Sequence, residues 1–453
     1  MRISIVGGGI SGLSAAFWIS KIAKKLKKEV LIDLYEKESC FGGSIYTAVK
    51  EGFHIESGPN GFLSSKPHTL ALFNEASLGD NVIRSNDLSR KRYIYRAGKL
   101  RKVPEKPLEF LKSDLITMKG KMRILSEFLV PQLKTDIDET IAAFAERRLG
   151  KEARDYLISP MVSGIFAGDT AKMSLKSSFP VIYELEKNYG GLFKGLIKKK
   201  NKKGGPSGPS GVLMSYKNGM YFGVKDLASK CLDVTFHLNE TVLDIDKVDN
   251  TFSLTTSKGS KSYDRVVLTL PAYGGSKIVE KLNPELSNLL DEIAYAPACV
   301  VGLGFKSGDI LDNLDGFGFL VPAVEKRQIL GILFSSSIFP ERAPAGYKLI
   351  RIILGGDSNR WILDKEIKNL IDIAFDEAKV ILKIKGSPVV TEAFMYEKAI
   401  PQYYVGHTDR VLKIERICKS IGGLFIGGNI LYGIGINDCT MVSKLIAEKI
   451  FNV

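Results

Sequence analysis

The chain has 453 residues, of which 45% are apolar and 25% are charged. This composition excludes a disordered or fibrous protein, and the length predicts two or three domains built around separate or interleaved cores. Lys and Arg outnumber Asp and Glu by 64 to 50, and the formal charge of +14 favours an anionic partner such as nucleic acid, an anionic bilayer or a carboxylate-bearing substrate.

The cysteines and the apolar runs bear on compartment and metal content. The five cysteines are scattered, with no CxxC pair and no Cys/His cluster, so we expect neither a disulfide framework nor a metal site. Met1-Arg2 leads directly into an apolar run, which leaves no room for a secretory signal. No stretch of about twenty apolar residues predicts a membrane span. We therefore expect a cytoplasmic protein in a reducing environment.

The N-terminal pattern predicts a βαβ unit. Residues 3–6 form a short apolar run, residues 7–12 are rich in glycine, and residues 13–23 carry apolar side chains at helical spacing. Residues 30–35 read as the second strand. The order is therefore strand, glycine turn, helix, strand.

The middle of the chain changes character. Residues 90–203 read as helical segments interrupted by prolines, without clear strands, and residues 198–211, rich in Lys, Gly and Pro, read as a mobile loop. The remainder predicts an α/β plan. Its expected strands are 234–238, 252–256, 265–270, 300–305, 329–334 and 349–354, and its expected helices are 365–382 and 440–450.

The glycine turn has the spacing of a dinucleotide fingerprint. Gly7, Gly9 and Gly12 form GxGxxG between a strand and a helix, which is the context that the motif requires. The glycines permit a tight turn, a close approach to pyrophosphate and close helix packing. Glu36, at the end of the second predicted strand, suits the hydroxyls of an adenosine ribose and disfavours a 2′-phosphate.

Three further segments resemble a large flavoprotein superfamily that includes amine oxidases, phytoene desaturases and protoporphyrinogen oxidases. They are residues 36–44, with the E-x5-G-G signature, residues 53–62, and residues 422–439. The resemblance implies non-covalent FAD, whose flavin ring would lie near residues 53–62 and near a helix N-terminus at the C-terminal end of the chain. The implied cofactor-binding residues are Gly7, Gly8, Gly9, Ile10, Ser11, Gly12, Glu36, Gly42, Gly43, Ser44, Gly58, Pro59, Asn60, Gly61, Val242, Gly428, Ile434, Gly435 and Ile436.

Other stretches resemble the protoporphyrinogen oxidase family specifically. They are residues 91–100, 159–169, 316–322, 400–407 and 435–439. By this resemblance Arg92 would bind a substrate propionate, Phe317 and Leu320 would sandwich a tetrapyrrole beside Gly318, and Gly168 would line the opposite wall. Asn60 lies at a position near the flavin, so Asn60 and Arg92 are the candidate catalytic residues.

The resemblance also implies an architecture. We expect an α/β protein with a Rossmann-like FAD-binding domain, an interleaved α+β substrate-binding domain and an inserted helical domain that associates with a membrane. The expected FAD-binding segments are 1–62, 220–272 and 410–453. The expected substrate-binding segments are 63–89 and 273–409, the helical insert is 90–205, and a linker covers 206–219.

The implied activity is oxidation of protoporphyrinogen IX to protoporphyrin IX, with dioxygen or another acceptor reoxidising the flavin. The expected protein is cytoplasmic, peripheral on the membrane, without a nucleic-acid partner, and a homodimer by family. Three alternatives remain open from the sequence. They are oxidation of coproporphyrinogen III, an amine or carotenoid oxidoreductase, and a binding module for nucleic acid or membrane that keeps a vestigial nucleotide fold.

Overall fold

The computed structural model describes residues 1–133, 137–202, 211–311 and 314–453. Within these ranges the β-strands in chain order are β1 (Arg2–Val6), β2 (Leu31–Glu36), β3 (Thr47–Lys50), β4 (Phe53–Glu56), β5 (Phe62–Leu63), β6 (Val82–Arg84), β7 (Arg92–Arg96), β8 (Lys99–Lys102), β9 (Leu213–Tyr216), β10 (Val234–Leu238), β11 (Val242–Val248), β12 (Thr251–Thr256), β13 (Gly259–Tyr263), β14 (Arg265–Leu268), β15 (Tyr295–Lys306), β16 (Gly318–Leu320), β17 (Gly331–Leu333), β18 (Tyr347–Gly355), β19 (Val390–Pro401) and β20 (Leu424–Ile426).

The α-helices in the same ranges are α1 (Ile10–Lys25), α2 (His68–Glu75), α3 (Pro107–Lys112), α4 (Met118–Leu125), α5 (Ile141–Leu149), α6 (Lys151–Ala153), α7 (Ser159–Phe166), α8 (Leu175–Ser178), α9 (Pro180–Tyr189), α10 (Leu192–Lys202), α11 (Met220–Ser229), α12 (Ala272–Val279), α13 (Pro284–Asp291), α14 (Ser335–Ile338), α15 (Ile367–Leu382), α16 (His407–Ile421) and α17 (Ile436–Phe451).

A parallel five-stranded sheet carries the N-terminal glycine turn. Its strand order is β10-β2-β1-β14-β20, and every pairing is parallel. Successive strand residues point to opposite faces, so Ile5 packs with α1 and α17 while Val6 packs with the β11–β13 meander on the other face. The sheet therefore contains strands from the two ends and from the middle of the chain. With helices on one face and the meander on the other, it forms a layered α/β structure.

A second sheet of seven strands forms the other large body. Its order is β19-β15-β18-β17-β16-β7-β8, and the pairings are antiparallel except for β16 with β7. Strand β15, between β19 and β18, is buried along almost its whole length, and α15 packs across β15 and β18. This sheet has its own apolar core.

The helices from α3 to α10 form a separate layer that packs onto the second sheet through α7 and β16. Arg148 and Glu127 form a fully buried ion pair within this layer. The Glu127 carboxylate also accepts the N–H groups of Leu192 and Phe193, at 2.7 and 3.2 Å, where α10 begins. This pair holds α10 against the rest of the layer.

The predicted βαβ opening is confirmed, with β1, α1 and β2 in order. The later predicted strands are also present, although β15 and β18 extend beyond their predicted bounds. The predicted helices correspond to α15 and α17, and α17 begins four residues earlier than expected, at Ile436. No helix within the four described ranges is long and apolar enough to cross a membrane.

The expected helical insert at 90–205 is wrong at its start, because β7 and β8 are strands of the second sheet. Ala97 and Gly98 both have positive φ, +49° and +77°, and they form a two-residue turn between the strands. Such a turn matches the twist of a hairpin. The strand was not recognised in the sequence, because basic residues flank Tyr93 to Tyr95 on both sides and obscure an alternating pattern of apolar and polar residues.

Two further expectations about the end of the insert are corrected. The expected linker 206–219 contains β9, which is the central strand of a three-stranded sheet between β5 and β6. The expected mobile loop 198–211 is helical up to Lys202, where α10 ends. Residues 203–210 of that loop lie outside the described residues.

We expect Arg148→Met to lower the free energy of unfolding by about 3–5 kcal/mol, because the substitution leaves the Glu127 carboxylate buried without its cation. Urea unfolding followed by far-ultraviolet circular dichroism measures this loss. The control is Arg154→Met, since Arg154 forms partly exposed pairs with Glu146 and Asp155 and their loss should cost less than about 1 kcal/mol. Equal losses in the two variants would contradict the importance of the buried pair.

Candidate functional site

The glycine turn after β1 is built by close backbone contacts. The Gly7 N–H donates to the Tyr35 carbonyl at 2.9 Å, and Gly7 has a φ of +109°. A Cβ at Gly12 would lie 1.9 Å from the Gly7 carbonyl oxygen, so no other residue fits there. Gly9 caps the start of α1, and Ile10 and Ser11 are buried in the first turn of that helix. The Leu13 N–H makes the first bond of the helix, to the Gly9 carbonyl at 3.0 Å, so the N–H groups of Ile10, Ser11 and Gly12 before it are left without a partner inside the helix at its N-terminal end.

The Glu36 carboxylate lies at the end of β2 beside this turn. One oxygen accepts the Gly8 N–H at 2.7 Å and the other accepts the Glu38 N–H at 3.0 Å. Each oxygen retains a lone pair, because a carboxylate has about four acceptor sites. The side chain is therefore oriented by the backbone and still able to accept hydroxyl donors.

Residues 42–44 and 58–61 continue the site. The Gly42 N–H donates to the Gly8 carbonyl at 3.0 Å, which ties the E-x5-G-G segment to the glycine turn. A Cβ at Gly58 would lie 2.4 Å from the Ser44 carbonyl oxygen. At Gly61 an added Cβ would lie 2.0 Å from the Met214 carbonyl oxygen in β9. The Gly58 contact joins the two segments, the Gly61 contact joins residues 58–61 to β9, and both positions require glycine.

The C-terminal glycine segment joins the same region. It leaves β20 at the same sheet edge, with Gly428 at a φ of +94°, and it ends at Gly435, which caps α17. The Asp438 carboxylate accepts the Gly435 N–H at 3.2 Å. Ser443 in α17 donates to the Ser11 carbonyl at 2.8 Å, which fixes α17 against α1.

These residues fit an extended dinucleotide cofactor. A Cβ built at Gly9, Gly43 or Gly428 would meet no atom closer than 3.8 Å, so these backbones border open space between the converging segments. Val242 begins β11, and nearby the Glu240 N–H donates to the Glu36 carbonyl at 3.1 Å. Ile436 is buried at the start of α17, whereas Ile434 packs against the helical layer. A groove with helix N-termini and a carboxylate suits the phosphates and ribose of such a cofactor.

The structure brings together three predicted substrate residues. Arg92 in β7 lies opposite Gly318 in β16 in the parallel pairing of the two strands. The Arg92 guanidinium is exposed and lies 5.7 Å from the centre of the Phe317 ring. A cation close to an aromatic wall is thus formed by residues more than two hundred positions apart.

Leu320 lies against α7, and Gly168 follows the end of that helix. A Cβ at Gly164 would lie 2.7 Å from Leu320 Cδ2, so α7 approaches β16 closely. Gly168 follows α7, and its Cα faces Met173 and the Gln402 side chain, which leaves no room for a Cβ. Leu320 is therefore in contact with α7, whereas the neighbours of Gly168 are Met173 and Gln402.

Two residues of the site were not identified from the sequence. Tyr403 donates to the Asn429 carbonyl at 2.6 Å, accepts the Gly433 N–H at 2.9 Å and stacks on His407 with ring centres 4.1 Å apart. Burial lowers the pKa of His407 to about 4, so this ring is neutral at physiological pH. The pair holds the C-terminal glycine segment. The sequence indicated Tyr403 only as part of the stretch 400–407 that resembles the family, without a role of its own.

Arg351 in β18 is the second missed residue. It is fully buried, and its guanidinium donates to the Gly58 carbonyl at 2.7 Å and to Asn60 Oδ1 at 3.3 Å. It occupies one position in an apolar strand, and no sequence motif includes it. The pairing of β18 within the second sheet is what brings it to residues 58–60.

The fold and the glycine turns at one sheet edge are those of a flavin-dependent oxidoreductase. The family model described as flavin containing amine oxidoreductase matches residues 10–450, and the chain belongs to this family. No group of three or more potential metal-ligating side chains occurs in the part of the chain that the structure describes.

Within this family the chain belongs with the porphyrinogen oxidases. It is 32% identical to the mitochondrial protoporphyrinogen oxidase of Nicotiana tabacum, over 96% of this chain and 92% of that protein. It is 28% identical to the coproporphyrinogen III oxidase of Bacillus subtilis, over 97% and 95% of the two chains. A crystal structure from Exiguobacterium sp. 255-15, provisionally described as a protoporphyrinogen oxidase, matches 99% of this chain and 98% of its own, with a TM-score of 0.84 and 25% identity.

We expect Gly12→Ala to yield protein without bound flavin, because the added methyl group collides with the Gly7 carbonyl and must displace the turn. The flavin absorbance of the purified protein, relative to its protein absorbance, measures occupancy. Gly308→Ala is the control, since a Cβ there meets no atom within 4 Å and its φ is not positive. A Gly12→Ala protein with full flavin content would contradict this assignment of the turn.

Proposed function

We propose that the protein oxidises protoporphyrinogen IX to protoporphyrin IX, using non-covalently bound FAD and dioxygen. The observation that carries this proposal is the meeting of Arg92, Phe317 and Gly318 on paired strands. A cation beside a flat apolar wall suits a macrocycle with carboxylate side chains. The relatives named as porphyrinogen oxidases, similar over nearly the whole chain, support the same substrate class.

The bound cofactor would accept hydrides from saturated carbons of the macrocycle and pass the electrons to dioxygen, forming hydrogen peroxide. Oxidation to the porphyrin removes six electrons and six protons in three such cycles. Glu36 would hold the adenosine ribose, and the glycine turn with the N-terminus of α1 would hold the pyrophosphate. Gly58, Pro59, Asn60 and Gly61 would flank the flavin ring, with the N-terminus of α17 near it.

The side chains of the substrate wall would bind and orient the macrocycle. Arg92 would take a propionate bidentately, and Phe317 and Leu320 would pack on the ring faces. Gly168 would line the wall beyond α7. Asn60 would present a polar group between flavin and substrate. The attachment of FAD is proposed as non-covalent because β19, which leads into Pro401, contains no cysteine.

Coproporphyrinogen III is the second candidate substrate, because a relative of nearly equal length carries that name. The two porphyrinogens differ in the number of their propionates, so one enzyme can discriminate between them by its anionic anchors. Initial rates on protoporphyrinogen IX and coproporphyrinogen III, followed by porphyrin fluorescence under air, separate the candidates. We expect the higher kcat/KM with protoporphyrinogen IX. Oxidation of neither by flavin-loaded protein would reject both.

We expect Arg92→Ala to raise KM for the porphyrinogen by about 10–100-fold with a smaller fall in kcat. The lost charge-assisted hydrogen bond is worth about 1.5–3 kcal/mol and acts in both ground and transition states. Steady-state kinetics measure the split. Arg90→Ala, which removes an exposed arginine two residues away, should leave KM unchanged. A normal KM in Arg92→Ala would remove Arg92 from the substrate site.

We also propose that the helical layer binds an anionic membrane surface peripherally. Helices α3 and α4 and the residues after them expose an apolar group that includes Leu108, Met118, Met122 and Leu129, which are 73%, 66%, 61% and 85% exposed. Exposed Lys106, Lys112 and Lys119 lie in the same region. Apolar side chains beside lysines suit the interface of an anionic leaflet. A cytoplasmic location and a homodimer are proposed from the family alone.

We expect the double variant Leu108→Ser/Leu129→Ser to lose most of its binding to phosphatidylglycerol vesicles in a flotation assay. The matched control is Leu232→Ser, which removes an 83% exposed leucine before β10 in the nucleotide-binding part. Vesicles of phosphatidylcholine alone should retain less wild-type protein, since the lysines then have no anionic partner. Undiminished flotation of the double variant would reject this surface.

A further inference from the structure

A cluster of buried charges lies beside residues 58–60, where the β3–β4 hairpin and β9 meet the seven-stranded sheet. Its members are Glu56 in β4, Arg342 before β18 and Arg351 in β18, and each is at most 2% exposed. Burying a charge is costly unless it is paired and hydrogen-bonded. The hydrogen bonds and the charge balance of the cluster therefore indicate its purpose.

Glu56 is well provided with donors. One carboxylate oxygen accepts the Met220 N–H at 2.9 Å and lies 3.3 Å from Arg342 Nη2, while the other accepts the Thr47 hydroxyl at 2.7 Å. Arg342 also donates to Ser215 Oγ at 2.8 Å and to the Tyr216 carbonyl at 3.1 Å. Glu56 and Arg342 thus form a direct pair that bridges β4, β9 and the start of α11.

Arg351 has no carboxylate in hydrogen-bonding contact among the residues that the structure describes. Its two bonds go to neutral oxygens, the Gly58 carbonyl and Asn60 Oδ1, and its Nε has no partner within the described part of the chain. Burial lowers the pKa of Arg351 to about 10, and the Glu56 charge opposes this shift. The guanidinium is therefore still protonated at neutral pH.

The cluster consequently holds two cations and one carboxylate. Glu56 is the one carboxylate that acts on Arg351 electrostatically in the described structure, and Arg342 already occupies it directly. A buried positive charge without a full counterion would be stabilised by any group that becomes negative nearby. Residues 58–60, to which Arg351 donates, are the segment assigned to the flavin ring.

We propose that Arg351 is the internal countercharge of the reduced flavin and raises the midpoint potential of the bound cofactor. A hydride brings two electrons and one proton, so the reduced ring carries a negative charge that the buried guanidinium stabilises. The field acts in a poorly screened interior and requires no direct contact. This inference rests on the proposed flavin site and not on the identity of the substrate.

Arg351 also orients Asn60. Its bond to Oδ1 fixes which way the amide points, and Asn60 Nδ2 is enclosed without a partner within the described residues. Leaving an enclosed donor without an acceptor costs free energy, so the bond from Arg351 is what maintains this orientation of the amide. Arg351 is therefore a positioning residue for Asn60 in addition to its electrostatic role.

The test is the midpoint potential of the bound flavin, measured by spectroelectrochemical titration of purified holoprotein without substrate. We expect Arg351→Met to lower the potential by at least the equivalent of a tenfold change in the reduction equilibrium, about 30 mV for two electrons. Arg351→Lys keeps the charge and should stay near the wild-type potential. Arg360→Met, which removes a half-exposed arginine just after β18, is the control and should not change it.

Glu56→Gln provides a second arm that does not depend on the stability of Arg351→Met. Burial raises the pKa of Glu56, so the comparison is made at pH 8.5, where its carboxyl is more fully ionised. Removing that negative charge should raise the potential, opposite in sign to Arg351→Met. Damage to packing would not produce opposite signs in two substitutions of one cluster.

Flavin-loaded Arg351→Met with the wild-type potential would overturn the proposal. If Arg351→Met does not retain flavin, an unchanged or lowered potential in Glu56→Gln would overturn it instead. The measurement uses no porphyrinogen, so the proposed function can fail in the fluorescence assay while the shifts in potential are still observed.

Discussion

The site depends on one constraint of the parallel sheet, which is that the carboxyl ends of neighbouring strands lie at a common edge. The glycine turn follows β1, Glu36 ends β2, and the C-terminal glycine segment follows β20 in the same sheet. Because these strands come from both ends of the chain, the edge that carries the proposed cofactor site forms only when the N-terminal and C-terminal strands have joined one sheet. The contact of α1 with α17 locks that arrangement.

The chain segments between these strands form the second sheet and the helical layer, and some of their side chains lie at the same edge of the first sheet. The parallel pairing of β7 with β16 sets Arg92 beside Phe317, and β18 delivers Arg351 to residues 58–60. A Cβ at Gly61 would lie 2.0 Å from the Met214 carbonyl oxygen, so residues 58–61 also pack tightly against β9. The nucleotide-binding part and the substrate-binding part are therefore interlocked through buried polar contacts, which a simple tandem of domains would not require.

The sequence alone predicted the features that local chemistry dictates. The turn at Gly7 to Gly12 and the acidic residue at Glu36 follow from spacing, and Gly12 is required by a contact within its own turn. Resemblance supplied Arg92 and Phe317, whose meeting depends on strand pairing that spacing does not encode. Arg351 could not be predicted, because it is one arginine in an apolar strand and acquires its role only through tertiary contacts. Strand β9 could not be predicted either, because its four residues follow a Gly/Pro-rich stretch and become a strand only by pairing with β5 and β6.

The central claim is that these separate segments form one flavin site, and a crystal structure of the protein with FAD tests it most directly. The account predicts electron density for the adenosine ribose at the Glu36 carboxylate and for the flavin ring against residues 58–61, near the N-terminus of α17. Density for the flavin away from residues 58–61, or a ribose without contact to Glu36, would contradict it.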